Sequence, residues 1–232
     1  MKKCLIFSFW VPKNMEPLGD YYLNLINNLF KKDDIYLAVN CGTSDNLINR
    51  IKTDYPNFII VPENLCINSD ASGYQMALSI LNKHYDYVVF GHTKGSSYHS
   101  MEHSLNYRNY NETFFWGKLD TMISLLESNP NVGIVGTDYI FDHGGSPNYS
   151  NINSICDFPI KNPLSGFYAN TFYMIRGTIV KFLLKNVNIN FFNKNLETIG
   201  FNRYFFESHF PKISSMVGYR PSIIKEDKLQ IL

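Results

Sequence analysis

Apolar residues in the first ninety or so positions come in short, dense runs separated by stretches of mixed polarity. Cys4 to Val11, Asp34 to Asn40 (DIYLAVN), Asn57 to Val61 (NFIIV) and Asp86 to Phe90 (DYVVF) each read as a strand. The runs are nearly continuous rather than alternating, as strands buried on both faces of a parallel sheet require. Between them, helical spacing predicts helices over Tyr21 to Phe30, about Asp45 to Lys52, and Ser72 to Lys83. The first of these gathers Tyr22, Leu23, Leu25, Ile26 and Leu29 on one side. Strand and helix therefore alternate. The expected class is α/β, an open, mainly parallel, Rossmann-like sheet flanked by helices.

The second half is less regular. Phe114 to Ser128 reads as a helix, Val132 to Thr137 as a strand, Gly166 to Ile175 as another strand, and Thr178 to Asn186 and Asn202 to Phe210 as helices. A Gly/Ser/Asn/Pro-rich stretch from about Asp142 to Asn162 reads as a long loop on the ligand side. No linker, charge run or internal repeat divides the chain, so one domain over 1–232 is expected, with halves meeting near residue 97. In sheets of this kind ligands sit beyond the carboxyl ends of the strands. Function is therefore sought in WVPKN, NCGTSD, PENLCINSD and GHTKGSS.

Composition narrows the field. Hydrophobic residues are 45% and charged residues 18% of 232, which fits a globular chain and not a disordered one. Lys plus Arg number 21 against 20 Asp plus Glu, a formal charge of +1 that argues against bulk electrostatic binding of nucleic acid. No apolar run reaches the ~20 residues of a membrane span. Lys2-Lys3 before CLIFSFWV imitates the front of a signal peptide, but the run stops at Pro12-Lys13 without a small-residue cleavage site and reads as a buried first strand. Cys4, Cys41, Cys66 and Cys156 have no metal or redox spacing and are expected to be reduced thiols of a cytoplasmic protein. The sequons at Asn111 and Asn148 carry little weight in that setting.

His99-Ser-Met-Glu102-His103 fits an H-x-x-E-H zinc-peptidase pattern, but its polar neighbourhood has almost no core face, and a solvated loop or short surface helix is the better reading. NCGTSD, directly after a strand, offers backbone N–H groups and side-chain acceptors to a base or ribose, or else is a turn in which Thr43 or Ser44 caps the next helix. Asp70 likewise either faces a ligand or caps a helix opening at Ser72. In YDYVVFGHTKGSS a buried strand runs into Gly91-His92-Thr93-Lys94-Gly95, where small residues beside an imidazole and an ammonium let a phosphate come close. Walker and Rossmann glycine patterns are missing from the sequence.

These segments together resemble a GT-A-fold glycosyltransferase that uses nucleotide sugars. VNCGTSD (Val39 to Asp45) resembles the fold's "v-D-D-G-S-t-D" turn, and YDYVVFGHTK (Tyr85 to Lys94) its strand ending in paired carboxylates, here replaced by His92 and Lys94. That replacement is similar to the rhamnan-synthesis F branch, and more loosely to small glycosyltransferase domains of large algal viruses. Asn64 with Asp70, His92-Thr93-Lys94, NTFYMIR (Asn170 to Arg176) and FFESHFPKI (Phe205 to Ile213) match the branch's elements in order. The chain departs in having Asn40 where Asp is common, a stretched Asn64-to-Asp70 element, and Ser208 where an Arg follows the helix glutamate.

The resemblance implies a sugar transfer, with inversion, from a UDP, dTDP or GDP donor to a glycan or other hydroxyl acceptor in surface-polysaccharide or glycan synthesis. Residues about 1–97 become the nucleotide-binding half and about 98–232 the acceptor and catalytic half. Asn40, Asp45, Asn64 and Asp70 are then nucleotide-side candidates, and His92 and Lys94 face the diphosphate. Glu207 is the first candidate base, Asp138 the second and Asp142 the third. His92 and Asp70 are the metal candidates if Mn²⁺ or Mg²⁺ is used. Phe115 and Trp116 are candidates for an acceptor-sugar platform. The alternative is a non-catalytic nucleotide- or carbohydrate-binding module on the same fold, which the missing carboxylate pair favours.

Overall fold

A computed structural model describes residues 1–61, 69–94, 101–137, 139–140, 167–168, 171–186, 206, 220–225 and 228–231. The strands are β1 (Lys3–Phe9), β2 (Asp34–Val39), β3 (Phe58–Ile60), β4 (Tyr87–His92), β5 (Val132–Gly136), β6 (Tyr139–Ile140), β7 (Phe167–Tyr168), β8 (Tyr173–Arg176), β9 (Arg220–Lys225) and β10 (Lys228–Ile231). The helices are α1 (Glu16–Leu29), α2 (Asp45–Asp54), α3 (Ser69–Ser79), α4 (Met101–Phe114), α5 (Leu119–Ser128) and α6 (Gly177–Asn186). Eight of the strands form one sheet in the order β10-β9-β5-β8-β4-β1-β2-β3, and β6 pairs separately with β7. Pairs β1–β2, β1–β4, β2–β3 and β5–β9 are parallel, whereas β8 runs antiparallel between β4 and β5. The class is α/β, as the alternating pattern predicts.

Both faces of the sheet are covered, which is why the strands lack alternation. Ile6, Tyr36, Val88, Phe90, Tyr173 and Ile175 pack beneath α3 and α6 with Tyr74, Leu78, Ile179 and Leu183. Leu5, Phe7, Leu37, Val89, Val135 and Met174 pack on the other side against Tyr22, Ile26, Leu47, Met122 and Leu126 of α1, α2 and α5. Among the described residues no helix is long and apolar enough to cross a membrane.

Several elements differ from expectation. Helix α1 starts at Glu16 and not at Tyr21, because Pro17 in the first turn fits a helix start. Strand β4 continues through Gly91 to His92, so His92 belongs to the strand and not to the turn after it. The helix foreseen over Phe114 to Ser128 is broken: α4 ends at Phe114, a 3-10 turn covers Trp116–Lys118, and α5 follows. The segment read as a loop or short surface helix holds α4, 14 residues long, which includes Glu102 and His103. The strand foreseen from Gly166 to Ile175 is interrupted as well. Thr171 sits at φ 53°, in the left-handed region that breaks an extended chain, and β8 begins two residues later. The hairpin of β9 and β10 was not anticipated. Of the foreseen helix over Asn202 to Phe210 only Phe206 is described, as helical and buried, and the long loop lies outside the described residues.

The cysteines need correction. Cys4 is a buried free thiol, but Cys41 is disulfide-bonded, with its partner outside the described residues. Spacing along the chain does not reveal such a pair, because a disulfide requires only that two sulfurs meet in space. A bond of this kind persists most readily in oxidising surroundings, so the expectation of reduced cytoplasmic thiols is not carried forward.

Candidate functional site

The strand connections leave β1 in one direction, through α1 to β2, and return through α3 to β4 on its other side. The crevice between β1 and β4 is therefore a topological switch point, the place where open α/β sheets bind ligands. In the parallel register Ser8 of β1 lies beside His92 of β4 at the carboxyl edge.

One hydrogen-bonded chain spans that crevice. Asn40, directly after β2, donates from Nδ2 to Ser8 Oγ at 2.9 Å, and Ser8 Oγ donates to Asp70 Oδ1 at 2.9 Å. Asp70 Oδ2 then lies 3.2 Å from His92 Nδ1. A carboxylate at this distance holds the imidazole proton on Nδ1, so Nε2 carries the lone pair of the neutral ring. Ser8 and Asn40 are buried, while the side chains of His92 and Asp70 are 12% and 31% exposed. Three candidates from separate segments, Asn40, Asp70 and His92, are thus brought together by a serine the sequence reading missed. Its signal was a lone hydroxyl within the apolar run KCLIFSF.

The supports are aromatic and hydroxyl groups. The His92 ring stacks on Phe172, centroids 4.9 Å apart at 24°. Phe172 also meets Trp116 edge-on at 5.9 Å and Phe115 at 5.3 Å. Gly91 permits this packing, since a Cβ there would lie 2.7 Å from Trp116 Cη2. Thr93 ties β4 to the end of β1: its Oγ1 accepts the Trp10 N–H at 3.0 Å and donates to the Trp10 carbonyl at 2.8 Å. Gly42, at φ +81°, turns the chain after β2 beside Trp10 Nε1. The Lys94 carbonyl accepts the Tyr22 hydroxyl at 3.0 Å, which seats the backbone that presents the ammonium. Burial raises the Tyr22 hydroxyl's pKa well above the usual range and keeps it a donor.

Some expectations meet a different structure. Asp70 lies inside the first turn of α3 and does not cap a helix opening at Ser72; its carboxylate crosses to Ser8 and His92. Ser44 occupies the N-cap position of α2 but makes no capping bond, and donates instead to Glu16 Oε1. Thr43 Oγ1 donates to the Phe9 carbonyl at 3.3 Å. Asp45 opens α2 exposed to solvent, apart from the hydrogen-bonded chain. Phe115 and Trp116 are 0% and 2% exposed in the core, so they are not an acceptor platform: the break after α4 turns them inward. Asn64, Glu207, Asp138 and Asp142 lie outside the described residues, as does His99.

For a divalent cation the described residues offer little. His92 and Asp70 face each other, one Asp70 oxygen is taken by Ser8, and no group of three or more His, Cys, Asp or Glu side chains gathers among the described residues. This does not make a preformed cation cage.

No protein-family model matches the chain. No curated protein matches it either. Among solved structures, similarity is found to the mannosyltransferase PcManGT from Pyrobaculum calidifontis in complex with GDP-Man and Mn²⁺, at 14% identity and a TM-score of 0.49, covering 98% of this chain and 56% of that one. TarS (1–349) of S. aureus in complex with UDP is similar at 11% identity and a TM-score of 0.47, covering 99% of this chain and 59% of that one. A 4-diphosphocytidyl-2C-methyl-D-erythritol synthase is similar at 9% identity and a TM-score of 0.45, covering 100% and 93%. The chain thus spans under two thirds of the length of the mannosyltransferase chain and of the TarS chain.

Proposed function

We propose that this chain is a glycosyltransferase of a nucleotide-diphosphate sugar, acting with inversion on a glycan or other hydroxyl acceptor in glycan or surface-polysaccharide synthesis. The observation that carries the reading is the chain from Asn40 through Ser8 and Asp70 to His92 at the switch point of the sheet. It sets a base-edge donor and acceptor at one end and an oriented imidazole at the other, with Lys94 two residues on. In this reading Asn40, Asp45, Asn64 and Asp70 serve the nucleoside, and His92 and Lys94 the diphosphate. The halves about 1–97 and 98–232 divide donor from acceptor.

The acceptor hydroxyl attacks the anomeric carbon as its bond to the diphosphate oxygen breaks. The hydroxyl proton goes to Glu207, or to Asp138 in its place, and the nucleoside diphosphate leaves with the bonding pair. Charge on the leaving group is met by the Lys94 ammonium and by His92 when protonated, at close range in a partly desolvated crevice. Mn²⁺ or Mg²⁺, if bound at His92 and Asp70, would supply further neutralisation.

The engagement of both Asp70 oxygens within the protein favours a second reading, a binding module without turnover. Incubation with UDP-, dTDP- and GDP-sugars separates the two, with donor hydrolysis and donor affinity both measured. Turnover of one donor, abolished in Glu207→Gln with affinity kept within a few-fold, supports the transferase. Binding without turnover supports the module, and no binding of any donor rejects both.

A further inference from the structure

Helix α4 presents an outward face that neither the core nor the hydrogen-bonded chain uses. At 3.6 residues per turn Asn106, Asn109, Tyr110, Thr113 and Phe114 fall on one side of it, and all five are exposed. Tyr110 and Phe114, four residues apart, are 38% and 45% exposed, with ring centroids 4.8 Å apart at 43°. The two charged residues of this stretch turn toward α1. Arg108 lies over the Tyr21 ring at 4.6 Å, and Glu112 Oε2 accepts the Tyr21 hydroxyl at 2.8 Å. What faces outward is two rings rimmed by neutral amide and hydroxyl groups. The inner side is braced against the candidate site. Phe115, directly after α4, meets Phe172 at 5.3 Å, and Phe172 carries the His92 ring. Tyr22, edge-on to Tyr21 at 5.2 Å, holds the Lys94 carbonyl. The ring pair therefore stands at the carboxyl edge of the sheet, across a helix ~10 Å thick from the residues that seat His92 and Lys94.

We propose that Tyr110 and Phe114 form a platform for a neutral sugar residue of the acceptor glycan, remote from the hydroxyl that reacts. The proposal rests on the glycosyltransferase reading and deepens it. A pyranose has a face of C–H groups and a rim of hydroxyls, so it lies on an aromatic ring while its edge bonds amides and hydroxyls, which both donate and accept. A phosphate or an acidic glycan finds no cation on this face, since Arg108 is turned to α1. Area argues against a second copy of the chain. At ~200 Å² for a whole aromatic side chain, the exposed parts of the two rings come to roughly 170 Å², against ~800 Å² per partner in a stable interface. The other large hydrophobic side chains exposed among the described residues, Met1 and Ile60, stand before β1 and at the end of β3.

Phe114→Ala and Tyr110→Ala each remove a ring from an exposed face, and Phe114→Trp keeps one there. Wild type and variants are titrated by NMR with neutral gluco-, manno- and galacto-oligosaccharides and with a sulfated oligosaccharide as the charged control. UDP, dTDP and GDP are titrated separately. The expected result is millimolar or tighter binding of a neutral oligosaccharide by wild type, weakened about tenfold in each alanine variant and kept in Phe114→Trp, with nucleotide affinity unchanged throughout. Equal oligosaccharide affinity in wild type and Phe114→Ala overturns the platform. So does a wild type that binds none of the neutral sugars, or that prefers the sulfated one. A wild-type dimer that Phe114→Asp converts to a monomer in light scattering also overturns it and gives the face to a second copy. Oligosaccharide binding by a wild type that binds no nucleotide rejects the glycosyltransferase reading, and the acceptor role with it. Nucleotide binding without oligosaccharide binding rejects the platform and leaves that reading standing.

Discussion

Replacing Ser8 by alanine takes one oxygen from a strand otherwise lined by Ile6, Phe7 and Phe9, yet it cuts the candidate site in two. Asn40 Nδ2 loses this acceptor and Asp70 Oδ1 this donor. Two hydrogen bonds at about 0.5–1.5 kcal/mol each are lost, and Asp70, part exposed, regains some of that from water. Ser8→Ala is therefore expected to lower stability by about 1–2 kcal/mol in urea titration with an unchanged slope, and to weaken nucleotide binding about tenfold in calorimetry. Unchanged binding would detach this chain from the site. Lys94 is the second residue-scale test. An ammonium neutralises a diphosphate without ligating a metal, so donor turnover is expected to survive EDTA and to fall several orders of magnitude in Lys94→Ala, on the scale of a lost oxyanion contact. Complete loss in EDTA with recovery in Mn²⁺ would return His92 and Asp70 to the role of ligands.

Between elements, the amino edge of the sheet is tied by a different set of groups. The Tyr85 hydroxyl, just before β4, donates to Asp34 Oδ2 at 2.6 Å and lies 2.9 Å from the Tyr36 hydroxyl, and Lys83 reaches the same carboxylate at 2.9 Å. These contacts, the Tyr85 bond foremost, hold the Asp34 carboxyl below its ordinary range. A lowered folded-state pKa contributes stability that is present above the unfolded value near pH 4 and is lost as pH falls through the lower one. Asp33 next to it is raised by burial and acts in the opposite sense, so the comparison is with Asp34→Asn and not with the bare curve. Wild type is expected to be more stable than Asp34→Asn at pH 6, with the gap closing toward about pH 2 in thermal scans. The Tyr85 hydroxyl is raised far above its usual value, first by burial and then by the bond to Asp34. Its contribution is present below about pH 10 and fades as pH rises further. A gap independent of pH would assign Asp34 to shape and not to charge.

At the scale of the whole molecule, the sheet carries one polar row along its carboxyl edge over a core closed on both faces. A ligand that binds only the folded state stabilises all of it, by about 2.7 kcal/mol at a hundred times its dissociation constant. For a chain of this size that corresponds to a rise of roughly 5–10 °C in the thermal midpoint. One nucleoside diphosphate among UDP, dTDP and GDP is expected to produce this shift, and Asn40→Ala to remove most of it. With a formal charge of +1, general anion attraction is weak, so inorganic phosphate at the same concentration should not reproduce the shift.

Alone, the sequence determined the α/β class, because nearly continuous apolar runs are a local record of burial on two faces, and it marked Asn40, Asp70, His92 and Lys94, because polar residues just past such runs mark strand ends. Local pattern carries no strand order and no contact between distant side chains. The insertion of β8 between β4 and β5, the inward turn of Phe115 and Trp116, and the disulfide at Cys41 follow from packing among segments far apart in the chain. So does the role of Ser8, which reads as one more residue of a buried strand until β4 and α3 are laid beside it. Only the tertiary structure decided that its hydroxyl stands between Asn40 and Asp70, since hydrogen bonds form across whatever the fold brings within about 3 Å.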